Sequence, residues 1–211
     1  QHIAKGQQQG LFVIALAVFN FIFAWLFFKN QQVDKNLIYL LIGLVLTFVS
    51  LAGPVQLDGN YITLFWATEA ALLYWLGVRS KLHLVKNASP VVVVLCLISL
   101  GMDWQQNYFA PQVNKLPVIL NKAFITGLVV VSALVVKYKW VKRDDEKAIC
   151  WNGLPLSLYA KLLEGLIAVV IYMVGFREIY YQSFTISRVV EFQSVVLWGW
   201  HFIFVAVLLW Y

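Results

Sequence analysis

The chain has 211 residues, of which 62% are hydrophobic and 12% are charged. A soluble domain of this length cannot hide so large an apolar fraction, because its surface requires far more polar residues. The apolar residues also lie in long blocks, which is typical of a multi-pass membrane protein. The formal net charge of +6 does not indicate a nucleic-acid partner, since the basic residues lie between the apolar blocks.

Seven apolar blocks approach the length of about 20 residues that a transmembrane helix needs. The sequence therefore predicts an all-α fold, a polytopic transmembrane helical bundle of about seven spans that forms a single unit over residues 1–211. The predicted spans are Leu11–Phe28, Leu37–Val55, Tyr61–Val78, Pro90–Trp104, Ala123–Trp140, Leu158–Phe176 and Phe192–Tyr211. A kink or early stop is expected at Pro54, near the end of the second span.

Both chain ends lead us to expect a fragment of a longer protein. Gln1 stands where an initiator Met would be, and Tyr211 lies inside an apolar block. The expected partners are thus the lipid bilayer and further transmembrane helices of the same longer chain.

The basic residues predict an orientation. Eleven of the sixteen follow spans one, three and five, and the other five lie on the opposite side. By the positive-inside rule the first set is cytoplasmic, so the N-terminus of the segment faces outward. The first set comprises Lys29, Lys35, Arg79, Lys81, Lys86, Lys137, Lys139, Lys142, Arg143, Lys147 and Lys161; the second comprises Lys5, Lys115, Lys122, Arg177 and Arg188.

Glu69 is the first candidate site residue, because it lies in the middle of the third span. Apart from tyrosines, residues 61–78 contain no other ionisable acid or base. A charge at the centre of such a helix costs about 2.5–3.5 kcal/mol on insertion scales, so it usually faces protein or water. Small residues on the other side of the helix, such as Ala67 and Ala70, favour close packing of a second helix. Glu69 is either a proton relay or ligand contact, or an interhelical hydrogen-bonding group.

His201 is the second candidate, on a polar-aromatic stripe with Glu191, Ser194 and Trp198. Spans three and seven run in the same direction, and Glu69 and His201 lie at similar depths, roughly 12 Å from one membrane face. A Glu69–His201 hydrogen bond is therefore a hypothesis. The alternative is a histidine satisfied by ordinary packing.

Two further groups of charged residues lie near span ends. Lys161 and Glu164 are i, i+3 neighbours that we expect to pair structurally, with Lys161 reaching the headgroups. Four residues on the outward side would line a mouth for a polar headgroup or sugar, unless they are ordinary interfacial residues. These are Asp58, Asp103, Arg177 and Glu178.

Motifs of common cofactor and metal sites are absent from the sequence. It contains no Gly-rich phosphate loop, no HExxH, no CxxC and no Gly-x-Ser-x-Gly. We therefore predict no cofactor and no metal.

The run from Leu57 to Gly77, LDGNYITLFWATEAALLYWLG, carries a family resemblance. It resembles the signature of a large bacterial family of predicted multi-pass membrane proteins of unknown function, with Tyr61 and Ala70 as departures. Residues 121–127 and 172–178 are similar to two later motifs of that family. The matching positions are Leu57, Gly59, Thr63, Leu64, Trp66, Ala67, Glu69, Ala71, Trp75, Leu76 and Gly77. The resemblance implies a slice of a larger protein of the bacterial inner membrane, and assigns Glu69 no catalytic role.

Three classes of function follow from these residues. A transporter would place Glu69 and His201 beside an aqueous path. An enzyme acting on lipid-linked envelope saccharide would place two rim carboxylates within about 10 Å of each other. A non-catalytic scaffold would pack Glu69 in a dry interface. We favour a non-enzymatic membrane protein, with transport ahead of scaffold.

Overall fold

The computed structural model describes residues 9–29, 35–109, 116–145, 153–186 and 189–210, and it confirms an all-α bundle. Six of its helices are long and apolar enough to cross a bilayer, and α1 contributes the apolar stretch Phe12–Phe23. No strand occurs in these ranges. The helices are α1 (Gln9–Lys29), α2 (Lys35–Gln56), α3 (Asn60–Ser80), α4 (His83–Trp104, continued by a π-helical turn, Gln105–Phe109), α5 (Lys122–Lys142), α6 (Leu156–Ile186) and α7 (Val190–Trp210).

Two prolines lie inside helices rather than at their ends. Helix α4 begins at His83, seven residues before the predicted start at Pro90. Helix α2 continues past Pro54 to Gln56, so no early stop occurs there. Each proline removes one backbone hydrogen bond, a cost that tertiary packing offsets in a long helix.

Helix α6 is longer than predicted. Its 31 residues span about 46 Å, against a hydrocarbon core of about 30 Å. The ten residues beyond the predicted end at Phe176 carry Arg177 and Glu178 past the start of α5. The charged end of α6 therefore packs against protein rather than ending in a loop.

Helices α3, α4, α5 and α6 form the core. Helix α3 packs most extensively on α4 and also contacts α5, which in turn packs on α6. Helices α1 and α2 pair with each other at the periphery. Helix α7 contacts α6, and Gln193 is its one buried side chain among the described residues.

Small residues let α3 and α4 approach closely, as the sequence predicted. Thr63, Ala67 and Ala70 are all buried on one face of α3. The Ser89 hydroxyl donates to the Ala70 carbonyl at 2.5 Å. A Cβ added to Gly77 would collide with the backbone of Lys86. The α3–α4 interface is thus a backbone-to-backbone contact.

Candidate functional site

A buried ion pair closes one end of the core. Lys86 Nζ, at the start of α4, lies 2.5 Å from Asp144 Oδ2, which follows α5. The two side chains are 2% and 5% exposed. Tyr74, in the last turns of α3, donates its hydroxyl to the same oxygen at 2.9 Å. We call this the Asp144 end of the bundle.

Lys137 lies beside this ion pair and is the least compensated charge in the described core. The residue is 1% exposed, and its Nζ has no hydrogen-bond partner among the described residues. The amine lies over the rings of Tyr74 and Tyr159, at 5.8 and 5.6 Å from the two ring centroids. Ring faces attract a cation, but they do not replace the acceptors that a buried ammonium loses when it leaves water.

Lys137 faces a small enclosed cavity between α3, α4 and α5. Its volume is about 10 Å³, the lower limit of the room that a single water molecule requires, and its walls are apolar apart from Lys137 and Cys96. Cys96 lies on the same wall, and small α3 side chains complete it. The lining residues are Ala67, Ala70, Ala71, Val93, Cys96, Leu97, Val130, Ala133, Leu134 and Lys137.

A second polar cluster lies beyond the cavity, towards the opposite end of the bundle. Thr63 donates its single hydroxyl hydrogen to Asp103 Oδ2 at 2.6 Å. Ser99, whose oxygen is also 2.6 Å from that of Thr63, must then donate to Thr63. The Cys96 thiol points at the Thr63 carbonyl at 3.7 Å, which connects this cluster to the cavity wall.

The two clusters and the cavity form a polar column along one face of α3. From one end to the other its members are Asp103, Ser99, Thr63, Cys96, Lys137, Tyr74, Asp144 and Lys86. Thr63 and Tyr74 are eleven residues apart, or about 16 Å along the helix. The column therefore extends through roughly half of the hydrocarbon thickness, with the one-water cavity between its halves.

Glu69 does not lie on this column. Ser50 of α2 donates its hydroxyl to Glu69 Oε1 at 2.6 Å, while Oε2 has no hydrogen-bond partner within the described part of the chain. The residue is 7% exposed and lines an apolar groove of about 630 Å³ between α2 and α3. The sequence was right that α3 has a small-residue side and an acidic side, and the polar column follows the small-residue side.

The hydrogen bond proposed between Glu69 and His201 is not formed. His201 Nδ1 is 2.7 Å from the Tyr172 hydroxyl of α6. Its ring also stacks near Phe176, in an aromatic cluster between α6 and α7. Glu69 of α3 is hydrogen-bonded to the neighbouring helix α2, and His201 of α7 is hydrogen-bonded to the neighbouring helix α6.

The expected pair of Lys161 and Glu164 is also not formed. Glu164 Oε2 accepts a hydrogen bond from Tyr138 of α5 at 3.1 Å, whereas Lys161 is exposed. Glu164 faces α5, where Tyr138 donates to it, whereas Lys161 lies on the outer surface of the bundle.

The four outward residues occupy separate environments. Asp58 is exposed, and Asp103 belongs to the polar column. The Arg177 guanidinium lies 5.1 Å from the centroid of the Phe109 ring. Glu178 is 4% exposed and accepts four hydrogen bonds. Its donors are Tyr108 Oη at 2.8 Å, Asn121 Nδ2 at 2.6 Å, Ile119 N at 2.9 Å and Gln182 Nε2 at 2.9 Å.

Lys86 and Lys137 are the functional candidates that the sequence reasoning missed, because both were counted as topology-determining loop lysines. A signal was nevertheless present. Val130, Leu134, Lys137 and Val141 follow the spacing of one helix face, and all four are buried. A lysine in phase with a buried apolar face is a candidate for the interior, even near a helix end.

Comparison with known proteins finds no match: no family model, no curated protein and no solved structure resembles this chain closely enough to be assigned to it. The six apolar helices are those of an integral membrane protein, and the polar column is its main chemical feature.

Proposed function

We propose that the chain is the proton-translocating unit of a membrane transport protein, and that protons move along the polar column. The observation that carries this proposal is Lys137, a buried amine that has no hydrogen-bond partner among the described residues and lines a cavity at the lower size limit for one water molecule. Intramembrane ionisable groups with this kind of access mark proton and ion pathways.

The residue types along the column suit proton relay. Each cluster contains a carboxylate, Asp103 in one and Asp144 in the other, with a hydroxyl group next to it. The oxygen-oxygen distances within the clusters are 2.6 to 2.9 Å, short enough for direct transfer. Between the clusters, a water in the cavity would exchange a proton with the Lys137 amine.

Charge balance gives Lys137 the central role. Lys86 and Asp144 compensate each other, so the Lys137 ammonium is left as an uncompensated buried charge. Such a charge is costly, whereas an amine that passes its proton to a neighbouring water is tolerated. The column thus combines two fixed clusters with one group that changes charge.

The test is proton flux into liposomes that contain the purified protein and an internal pH-sensitive dye. A potassium diffusion potential supplies the driving force. We expect Lys137→Met to reduce the flux at least tenfold, since methionine fills the space but carries no proton. Lys139→Met is the matched control, because Lys139 is exposed on the same helix, and it should leave the flux unchanged. Equal flux through Lys137→Met and wild type would refute the proposal, as would wild-type flux no greater than that of protein-free liposomes.

The alternative of an envelope enzyme has less support. Acid-base chemistry at the rim requires carboxylates that are free to exchange protons with substrate. Glu178 already accepts four hydrogen bonds, and Asp103 is 3% exposed. A scaffold function is favoured by one observation, the hydrogen bond between Glu69 and Ser50 in an otherwise apolar interface.

We also propose that the chain belongs to the bacterial membrane-protein family named above and lies in the bacterial inner membrane. The resemblance of residues 57–77 to the bacterial signature supports a place in that family and in the bacterial inner membrane. On that basis Glu69 and Thr63 are both family positions, and Thr63 is also a member of the polar column.

A further inference from the structure

An apolar groove runs along the α2 side of α3, away from the polar column. Its lining on α3 extends from Tyr61 to Leu76, fifteen residues or about 22 Å along the helix. Its volume of about 630 Å³ lies within the range of small-molecule sites. Leu72 and Trp75, which help to line it, are about half exposed, so the groove opens on the outer surface of the bundle.

Glu69 places an unused acceptor at the middle of this groove. The residue is more than nine-tenths buried, and Ser50 occupies only its Oε1. Thr68, also on the wall, donates its hydroxyl to the Leu64 carbonyl and so offers Glu69 nothing. Oε2 is itself buried in the present rotamer, and rotation about the last side-chain bond, which is broad in glutamate, would turn a carboxylate oxygen towards the groove. A buried acceptor without a donor is destabilising, and an occupant that donates a hydrogen bond would remove that cost.

The shape of the groove suits an extended hydrocarbon chain. Its volume of about 630 Å³ is spread along about 22 Å of α3, and its walls are almost entirely apolar. A chain lying parallel to α3 would contact these walls along its whole length.

The depth of Glu69 selects the headgroup. Glu69 is nine residues from the start of α3, about 13 Å along the axis. A charged headgroup would be costly at that depth, whereas a neutral hydroxyl is tolerated when it is hydrogen-bonded. Phe65 and Tyr61 on the groove wall provide aromatic surfaces for a ring. We infer that the groove binds a lipid-soluble phenol or quinol, with its hydroxyl donating to Glu69 and its hydrocarbon tail lying along α3.

The experiment compares two probes that differ in one respect: each ring oxygen carries a hydrogen in the first and a methyl group in the second. One is a hydroquinone with a ten-carbon tail, and the other is its dimethyl ether. Retention is measured by equilibrium dialysis against the protein in nanodiscs, relative to empty nanodiscs of the same lipid. We expect the hydroquinone to bind at least tenfold more tightly than the ether.

Three variants locate the binding. Glu69→Leu should abolish the difference between the probes, and Glu69→Gln should do the same, since its amide nitrogen donates rather than accepts. Leu72→Trp should fill the groove and prevent retention of both probes. Glu191→Leu, at an exposed acid of α7, is the control and should bind as wild type does.

Two results would overturn the inference. Equal retention of hydroquinone and ether would mean that an ordinary lipid tail covers the groove. Retention of neither would leave the groove to a neighbouring helix. Proton flux is not measured in this experiment, so its outcome is independent of the function proposed for the polar column.

Discussion

At the residue scale, the two buried lysines show that burial alone does not determine what a charged side chain does. Lys86 and Lys137 are 2% and 1% exposed, and both lie near Tyr74. Lys86 has a carboxylate at 2.5 Å, whereas the amine of Lys137 has only ring faces near it among the described residues. The first is therefore a structural element of the Asp144 end, and the second is the group to which we assign proton transfer in the proposed function.

This difference predicts opposite effects on stability. Lys86→Met removes one partner of a buried ion pair and takes the ammonium at 2.5 Å away from Asp144, so we expect a loss of about 3–5 kcal/mol. Lys137→Met removes a buried group that has no acceptor among the described residues, so we expect a gain of about 1–3 kcal/mol. Equilibrium unfolding in detergent measures both. Lys139→Met should be neutral, and a destabilised Lys137→Met would show that the amine has a stabilising partner.

The contrast between the two roles was not predictable from the sequence, although the spacing of Lys137 on the buried face of α5 was a signal for its burial. Lys86 and Lys137 lie close to helix ends in a basic context, where a snorkelling lysine is the usual case. Both lysines are buried because α3 packs against α4 and α5. Glu69, by contrast, is conspicuous in sequence because it lies mid-span, and its burial was predicted correctly while its partner was not.

At the element scale, hydrophobicity predicts the positions of the helices well, but it predicts poorly which residues of neighbouring helices contact each other. All seven predicted spans correspond to helices, because each contains a long apolar block. The end of α6 was placed ten residues too early, since Arg177 and Glu178 look like the polar end of a span. Glu178 is instead enclosed by donors from the π-helical turn, the connection before α5 and α6 itself.

Glu178 therefore holds three segments together. One of its bonds fixes the backbone N–H of Ile119, whose φ of 64° is unfavourable for a β-branched residue. Such strain persists only when surrounding contacts impose it.

We expect Glu178→Gln to destabilise the protein by about 2–4 kcal/mol. The substitution replaces one acceptor oxygen by a donor group and removes the charge that strengthens the remaining bonds. Glu164→Gln is the control, because Glu164 is half-buried and accepts one hydrogen bond at 3.1 Å; its cost should stay below about 1 kcal/mol. Equal losses in chemical unfolding would mean that the Glu178 network is not what holds the three segments.

The close approach of α3 and α4 yields a second prediction at this scale. Gly77→Ala adds a Cβ against the Lys86 backbone, which cannot move aside as a flexible side chain would. Overpacking of this kind costs about 1–3 kcal/mol, and it would displace Lys86 from Asp144. Gly43→Ala, in α2, is the control: nothing lies within 4 Å of the added atom, so the variant should match wild type or gain up to about 1 kcal/mol. A neutral Gly77→Ala would show that the two helices separate freely.

At the scale of the whole molecule, a packed core of four helices carries three peripheral ones. The accessible surface is 14,070 Å², against about 10,000 Å² expected for a compact soluble protein of 24.2 kDa. Exposed large hydrophobic side chains are most frequent on α1, α2 and α7. Lipid or further helices would cover them.

The orientation of the molecule is the last prediction, and it follows from the basic residues. Lys86 and Lys137 are withdrawn into the core, yet nine of the eleven basic residues first counted on that side remain, against five on the other. The Asp144 end should therefore be cytoplasmic.

The orientation can be tested with the exposed residues Lys81 and Asp58, which lie at opposite ends of α3. Each is replaced by cysteine in a chain whose native cysteines are alanine. In intact bacterial cells, a membrane-impermeant maleimide should label Asp58→Cys and spare Lys81→Cys, and permeabilised cells should label both. The reverse pattern would place the Asp144 end outside and reverse the direction in which the polar column faces the proton gradient.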